Sequence, residues 1–241
     1  MSKSDPTNEI IDNFVAPKCQ TNVEILYQDD DVLLINKPSG LLSLSGKNPL
    51  NWDSVHYRLV NGQSATQTQN ETPAFTEAKL PHRLDFGTSG VMVVGLNSAA
   101  SKSLNQQFQA QTVQKRYLAM LAGWVEADSG QISAPIAKDK ALFPRVKICH
   151  HTGKQALSDY QIIRRLDNPL RTLVQYSPIT GRTHQLRIHS LEFGHPILGC
   201  DLYNNQQLNN GSQRLMLHAS DIYFNHPSTG ERIHGHSPNP F

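Results

Sequence analysis

Two short segments concentrate the side chains that could do chemistry. In Pro81-His82-Arg83-Leu84-Asp85-Phe86-Gly87-Thr88-Ser89-Gly90, a carboxylate and a guanidinium sit among turn-forming residues directly before the apolar run VMVVGL. Such a loop can hold a carboxylate on a rigid base, where it acts as a nucleophile or steadies a developing positive charge. On its own, an aspartate in a turn more often bonds its local backbone, so Asp85 needs corroboration. In Thr180-Gly181-Arg182-Thr183-His184-Gln185-Leu186-Arg187-Ile188-His189, two arginines and two histidines fall within ten residues. The planar fork of Arg187 could keep an active carboxylate ionised. The competing reading is an exposed helical face, with His184 and His189 capping or packing locally.

Metal and nucleotide chemistry find little support. His184 and His189 are five residues apart, which does not bring them together on a helix, and no carboxylate–histidine cluster accompanies them. Gly87 and Gly90 are too few for a phosphate-cradling loop. Cys19, Cys149 and Cys200 are odd in number and widely separated, with no CxxC spacing, which suits a reducing cytoplasm. No metal and no cofactor is expected.

The elements that must position these segments are mostly strands. VEILY and VLLIN, flanking the acidic turn Gln28–Asp31, predict a hairpin ended by Lys37-Pro38-Ser39-Gly40. VMVVGL (91–96) predicts a buried strand, and Asn97 a cap for a helix whose Ala100, Leu104 and Phe108 share one face. KRYLAMLAG (115–123), RTLVQYSP (171–178) and RLMLHASDIYF (214–224) predict further strands, while HQLRIHSLEF predicts a helix stopped by Gly194. Strands outnumber helices without regular βαβ alternation, so the expected class is α+β with a largely antiparallel sheet. Residues 1–20 form a mobile or surface-draped leader in this reading, 21–241 one catalytic body, and the polar stretch 62–77 a long surface connection.

With 241 residues, 38% of them hydrophobic, the chain can bury one substantial core. No apolar run approaches the roughly 20 residues of a membrane span, and the amino terminus lacks that of a secretion signal, so a cytoplasmic protein is expected. The formal charge of +2 decides nothing, but its distribution is uneven: residues 1–80 carry 6 basic against 10 acidic side chains, the remainder 16 against 10. Lys138, Lys140, Arg145, Lys147 and Lys154 face only Asp139, a stretch suited to a polyanion and equally to a solvated loop.

Taken together these segments resemble the RluA type of pseudouridine synthase. HRLDFGTSG is similar to that family's active-site motif, GRTHQLRIH to its second signature, and QKRYLAML supplies its tyrosine at Tyr117. The resemblance extends through Ile25–Leu44, Gly194–Tyr203 and Leu215–Ala219, nearly the whole chain after residue 20. It implies a central sheet crossed by a catalytic cleft. A preceding S4-type RNA-binding domain would have no room before residue 25, so RNA recognition is expected of the catalytic body itself.

The resemblance implies isomerisation of uridine to pseudouridine within structured RNA, with no metal or redox cofactor. It makes Asp85 the nucleophile or ion-stabilising carboxylate, Arg187 its partner, and Tyr117 the platform that stacks on the flipped uracil and could move the C5 proton. Arg83 would fill the space the base vacates, His82 would support the loop or touch RNA, and Lys138, Lys140, Arg145, Lys147 and Arg182 would bind RNA. The segment KICHHTGKQALSDY (147–160) points to the dual-specificity subfamily, which acts on the tRNA anticodon stem-loop (position 32) and a 23S rRNA hairpin (position 746). A monomer without an obligate protein partner is expected. Competing readings are a synthase for another tRNA or rRNA uridine, a catalytically silent RNA-binding relative, or a glycosidase, although no second carboxylate lies in the signature segments.

Overall fold

The computed structural model describes residues 14–62, 74–142, 144–203 and 212–241. Most of the leader and most of the 62–77 connection lie outside these residues. The described part of the leader drapes over the surface: the Asn51 side chain accepts from the Ala16 N–H at 2.8 Å and donates to the Phe14 carbonyl at 2.7 Å.

Strands β1 (Glu24–Gln28) and β2 (Val32–Lys37) form the expected hairpin. After it come α1 (Val55–Asn61), β3 (Ser89–Gly95) and α2 (Ser98–Gln109). The cap of α2 is the expected one, with the Asn97 side chain accepting the Ala100 N–H at 2.8 Å. Next are β4 (Gln114–Ala122), β5 (Ser129–Ser133), β6 (Ile136–Lys138), β7 (Val146–Ile148), β8 (Leu157–Leu166) and β9 (Arg171–Pro178). The chain closes with α3 (Gln185–Glu192), β10 (Leu217–Asn225) and β11 (Arg232–His236). Gly194, at φ +86°, ends α3 as expected.

The main sheet runs β1-β2-β3-β10-β4-β9-β8-β5, with β11 on the outer half of β10, while β6 and β7 form a separate pair. The β3–β10 pairing is parallel and the other strand pairings are antiparallel, as the α+β reading anticipates. Strand β2 shows why the sheet is covered on both sides. Val32 and Leu34 pack with Leu104 of α2, whereas Leu33 and Ile35 pack with Val55 and Leu59 of α1. A third cluster joins Leu186 and Ile188 of α3 to Ala119, Leu121, Val174 and Tyr176 of β4 and β9.

The β3–β10 seam lies directly beneath the Asp85 loop. Gly90 sits there at φ +119°, and a Cβ would fall 2.2 Å from the Ala219 carbonyl oxygen. Only glycine allows the two backbones to approach so closely.

Candidate active site

The loop carrying Asp85 is fastened to the segment that follows β2. Lys37, with no exposed surface, donates from Nζ to the carbonyls of Pro38, Leu41 and Phe86 at 2.8, 2.6 and 3.3 Å. Ser39 Oγ donates to the Gly87 carbonyl at 2.7 Å, and Ser43 Oγ both donates to Leu84 O at 2.8 Å and accepts its N–H at 3.1 Å. Every residue flanking Asp85 is thereby pinned, which fixes its carboxylate without engaging it. Desolvation pulls the Lys37 ammonium down to about 7, against the opposing pull of the Asp85 carboxylate.

The carboxylate faces a cavity of about 470 Å³ lined by Arg83, Asp85, Tyr117, His184, Arg187 and Leu217, among others. The sequence-predicted catalytic residues therefore meet in one place. Tyr117 enters from β4, where it pairs with Tyr176 on one side and Ala219 on the other. Burial first, and then the Asp85 charge, raise its pKa above the ordinary phenol value, so the hydroxyl keeps its proton.

Arg187 departs from expectation. Its guanidinium donates to the Asp201 carboxylate and, from Nε and Nη2, to Cys200 Sγ at 3.3 Å, and it stands 5.4 Å from the Tyr203 ring centroid. The expected ion pair with Asp85 is not formed. The reason is geometric: Arg187, in α3, makes its contacts to the 200–203 segment, where Asp201 meets the fork. Asp85 still acts on it through space. Burial opposes the Arg187 charge, and the sulfur of Cys200 with the carboxylates of Asp85 and Asp201 outweighs that opposition, raising its pKa.

The ion-pair contact nearest Asp85 is instead His184, whose Nε2 lies 3.9 Å from Asp85 Oδ1. His184 caps α3 in the left-handed conformation, φ +53°, a strained choice for a non-glycine residue. Its Nδ1 is 2.9 Å from the Tyr203 hydroxyl, which itself accepts the Val146 N–H at 2.7 Å. One proton lies between Tyr203 Oη and His184 Nδ1, and this contact turns the other ring nitrogen, Nε2, toward Asp85. Burial pushes His184 below its ordinary pKa despite the Asp85 charge, so it is neutral at pH 7.

The remaining sequence candidates divide by location. Arg83 is exposed at the cleft, and Arg182, half-buried, lines it while donating from Nε to the Gln155 carbonyl at 3.0 Å. His82 also lines the cleft, but its ring stacks on Phe108 at 4.7 Å and its Nε2 accepts the Val93 N–H at 3.1 Å. Desolvation drives its pKa to about 3, the state of a neutral prop for the loop. Lys138 and Lys147 fall on the β6–β7 pair, with Lys140 exposed beyond it and the Arg145 guanidinium 5.4 Å from the Tyr203 ring centroid. The basic segment is thus built onto the same tyrosine that orients His184.

Sequence reasoning left Lys37, Asp201 and Tyr203 without roles and weighed His184, within GRTHQLRIH, only as a local cap or packing residue and as a metal ligand. Lys37, Asp201 and Tyr203 lay inside the quoted family segments, so position within them was the available signal.

Most of the chain is similar to known proteins. The family model described as RNA pseudouridylate synthase matches residues 31–192. The dual-specificity RNA pseudouridine synthase RluA of Yersinia pestis is 43% identical over 210 residues, which cover 87% of this chain and 96% of that protein. The enzyme of the same name from Haemophilus influenzae is 38% identical over 217 residues, covering 90% and 93%. Among solved structures, human RNA pseudouridylate synthase domain containing 1 superposes with a TM-score of 0.72 at 28% identity, covering 93% of this chain and 86% of that one.

Proposed function

The chain belongs to the RNA pseudouridylate synthase family and isomerises uridine to pseudouridine in RNA; on that premise we propose how its residues divide the work and which RNA they act on. The carrying observation is a carboxylate, Asp85, pinned through its neighbours at the wall of a cleft it shares with Tyr117, His184 and Arg187.

The reaction breaks the bond from N1 to C1′ and joins C1′ to C5 of the same uracil, so its atoms and electrons balance without a redox partner. Asp85 supplies the electron-rich oxygen at the sugar carbon, and the neutral His184 beside it leaves that oxygen unpaired and available. The uracil, extruded from its stack at a cost of a few kcal/mol, lies on Tyr117. Arg83 at the exposed rim occupies the space it leaves, its guanidinium suited to bases and phosphates alike.

Burial, with the negative Asp85 adding to it, holds the Tyr117 phenol protonated. Consuming the Asp85 charge at C1′ removes the smaller of these two causes, and the proton that leaves C5 past Tyr117 is balanced by the proton gained at N1. Arg187, held by Asp201 and Cys200, keeps the surrounding potential positive throughout.

The substrate we propose is dual: a uridine of the tRNA anticodon stem-loop and one of a large-subunit rRNA hairpin. The support is the matched relatives' own name, dual-specificity RNA pseudouridine synthase, together with the KICHHTGKQALSDY resemblance. Arg182 at the cleft, and Lys138, Lys140 and Lys147 on and beyond the β6–β7 pair, supply phosphate contacts. The protein works as a monomer in the cytoplasm, a compartment in keeping with three free cysteines.

Pseudouridine mapping in tRNA and rRNA from cells with and without the gene, restored by wild type or Asp85→Asn, tests this reading. Loss at one tRNA and one rRNA site, regained with wild type alone, is expected. Loss at a single RNA class would overturn dual specificity, and rescue by Asp85→Asn would overturn the role of Asp85.

A further inference from the structure

The β10–β11 hairpin brings together three side chains that the pseudouridine reaction does not use. Register sets Asp221 opposite His236 and Tyr223 opposite His234, so the alternating His-Gly-His of β11 presents both imidazoles on the face of Asp221. Ile222 and Phe224, between and beyond them on β10, point into the core. Both imidazoles converge on one carboxylate oxygen: His234 Nε2 lies 2.8 Å and His236 Nδ1 3.0 Å from Asp221 Oδ1. The three ligand atoms all fall within 4.8 Å of one another. None of the three residues lines the catalytic cleft.

We propose that Asp221, His234 and His236 form a binding site for a divalent transition metal of the zinc class. Two imidazoles and a carboxylate suit zinc, copper or nickel and not magnesium or calcium, which prefer all-oxygen shells. Metal–ligand bonds of about 2.0–2.2 Å in a tetrahedral shell separate ligand atoms by about 3.3 Å. The two observed separations need to open by only a few tenths of an ångström. The imidazoles can move that far, being 48% and 56% exposed, while Asp221, 14% exposed, stays fixed as the anchor. The site is partly preorganised: the His234 ring stacks on Tyr223 with centroids 4.3 Å apart and planes 5° from parallel. Three protein ligands leave a fourth position facing solvent for water or another donor. The earlier expectation of no metal weighed His184 and His189, which the fold sends to unrelated environments; this trio is assembled by cross-strand register alone.

Calorimetric titration of the tag-free full chain with Zn²⁺ at pH 7.5, with Mg²⁺ as control, tests the site. One equivalent of Zn²⁺ and no Mg²⁺ should bind. His236→Gln and Asp221→Asn, checked for native circular dichroism, should each weaken binding at least about tenfold, since even outer-shell partners are worth roughly 10–100-fold. Because His234 and His236 are exposed, His234→Gln provides a second variant that spares the core. Cys149→Ser should leave the equivalent in place, separating this site from the sequence-adjacent side chains of Cys149-His150-His151 elsewhere in the chain. Cobalt substitution should give visible absorption that the His236→Gln protein lacks. No binding at about 100 μM Zn²⁺, or equal affinity in wild type and both ligand variants, would overturn the proposal.

Discussion

His184 Nε2 stands 3.9 Å from Asp85 Oδ1, close enough to feel its charge and too far for a hydrogen bond. Since burial holds His184 below its ordinary pKa, the pair is carboxylate and neutral imidazole at pH 7. Protonating His184 would draw Asp85 into an ion pair and make it a poorer nucleophile. Turnover should therefore fall at acid pH, in a limb that lies below the ordinary imidazole value because burial lowers the His184 pKa, and that limb should vanish in His184→Gln. In His184→Ala, kcat at pH 7.5 should fall about tenfold with KM little changed, because the cleft loses the neutral ring that walls it beside Asp85. Single-turnover rates across pH 5–8 measure both; an unaltered acid limb in His184→Gln would sink the assignment.

Arg187 and Asp201 should respond unequally. Asp201 is 72% exposed, so the ion pair contributes at most about 1 kcal/mol to stability, and Asp201→Asn should shift denaturant midpoints little. Arg187 is 4% exposed and holds Cys200 as well as Asp201. Arg187→Lys keeps charge but loses the fork, and should cut turnover at least about tenfold while the protein stays folded. Comparable kinetics in the two variants would show that the Asp201 contact, and not the guanidinium fork, is what catalysis needs.

The contrast between these residues shows what could be read before the fold was known. Asn97 and the Ala100–Leu104–Phe108 face were legible because capping and helical period are local properties. The Asp85 loop and Tyr117 were legible as motifs, and the fold does bring them to one cleft. The partner of Arg187 was not, since it depends on how the 195–203 segment returns past α3. Local capping or packing was only the competing reading of His184, and nothing in its spacing announces a left-handed residue that turns its ring toward Asp85. Short α1 and the β6–β7 pair escaped notice because three to seven residues carry too little periodicity to register.

Lys37 links stability to activity. Its ammonium donates to the Pro38, Leu41 and Phe86 carbonyls; Phe86 O also accepts the Gly40 N–H at 2.9 Å, so Lys37→Met would leave the Pro38 and Leu41 acceptors without their donor and take one of two bonds from Phe86. Each unsatisfied group costs about 1–3 kcal/mol, so urea unfolding should show a loss of roughly 2–4 kcal/mol. Turnover should fall beyond what the unfolded fraction explains, because the Asp85 loop loses a clamp. If stability drops but the activity of the folded fraction is unchanged, Lys37 supports the fold alone.

Acid should destabilise the protein through its buried histidines, His189 and His218 among them together with His82 and His184. His189 sits between Ser158 Oγ and the Ala134 carbonyl, each at 3.0 Å, and His218 between Ser89 Oγ at 2.9 Å and the Ser237 carbonyl at 3.1 Å. In both, one nitrogen donates to a carbonyl and the other accepts from a hydroxyl, the pattern of a neutral ring. Burial lowers both pKa values from 6.5. Below pH 6.5 the unfolded chain therefore binds protons that the native state refuses, and stability falls as pH falls until the folded values are reached. Each group contributes a slope of up to about 1.4 kcal/mol per pH unit within that window. Urea midpoints measured from pH 7.5 to 5 should decline below pH 6.5, and His189→Gln, though less stable at neutral pH, should show the shallower decline. An equal slope in both proteins would mean that His189 is not among the groups linking acid to unfolding.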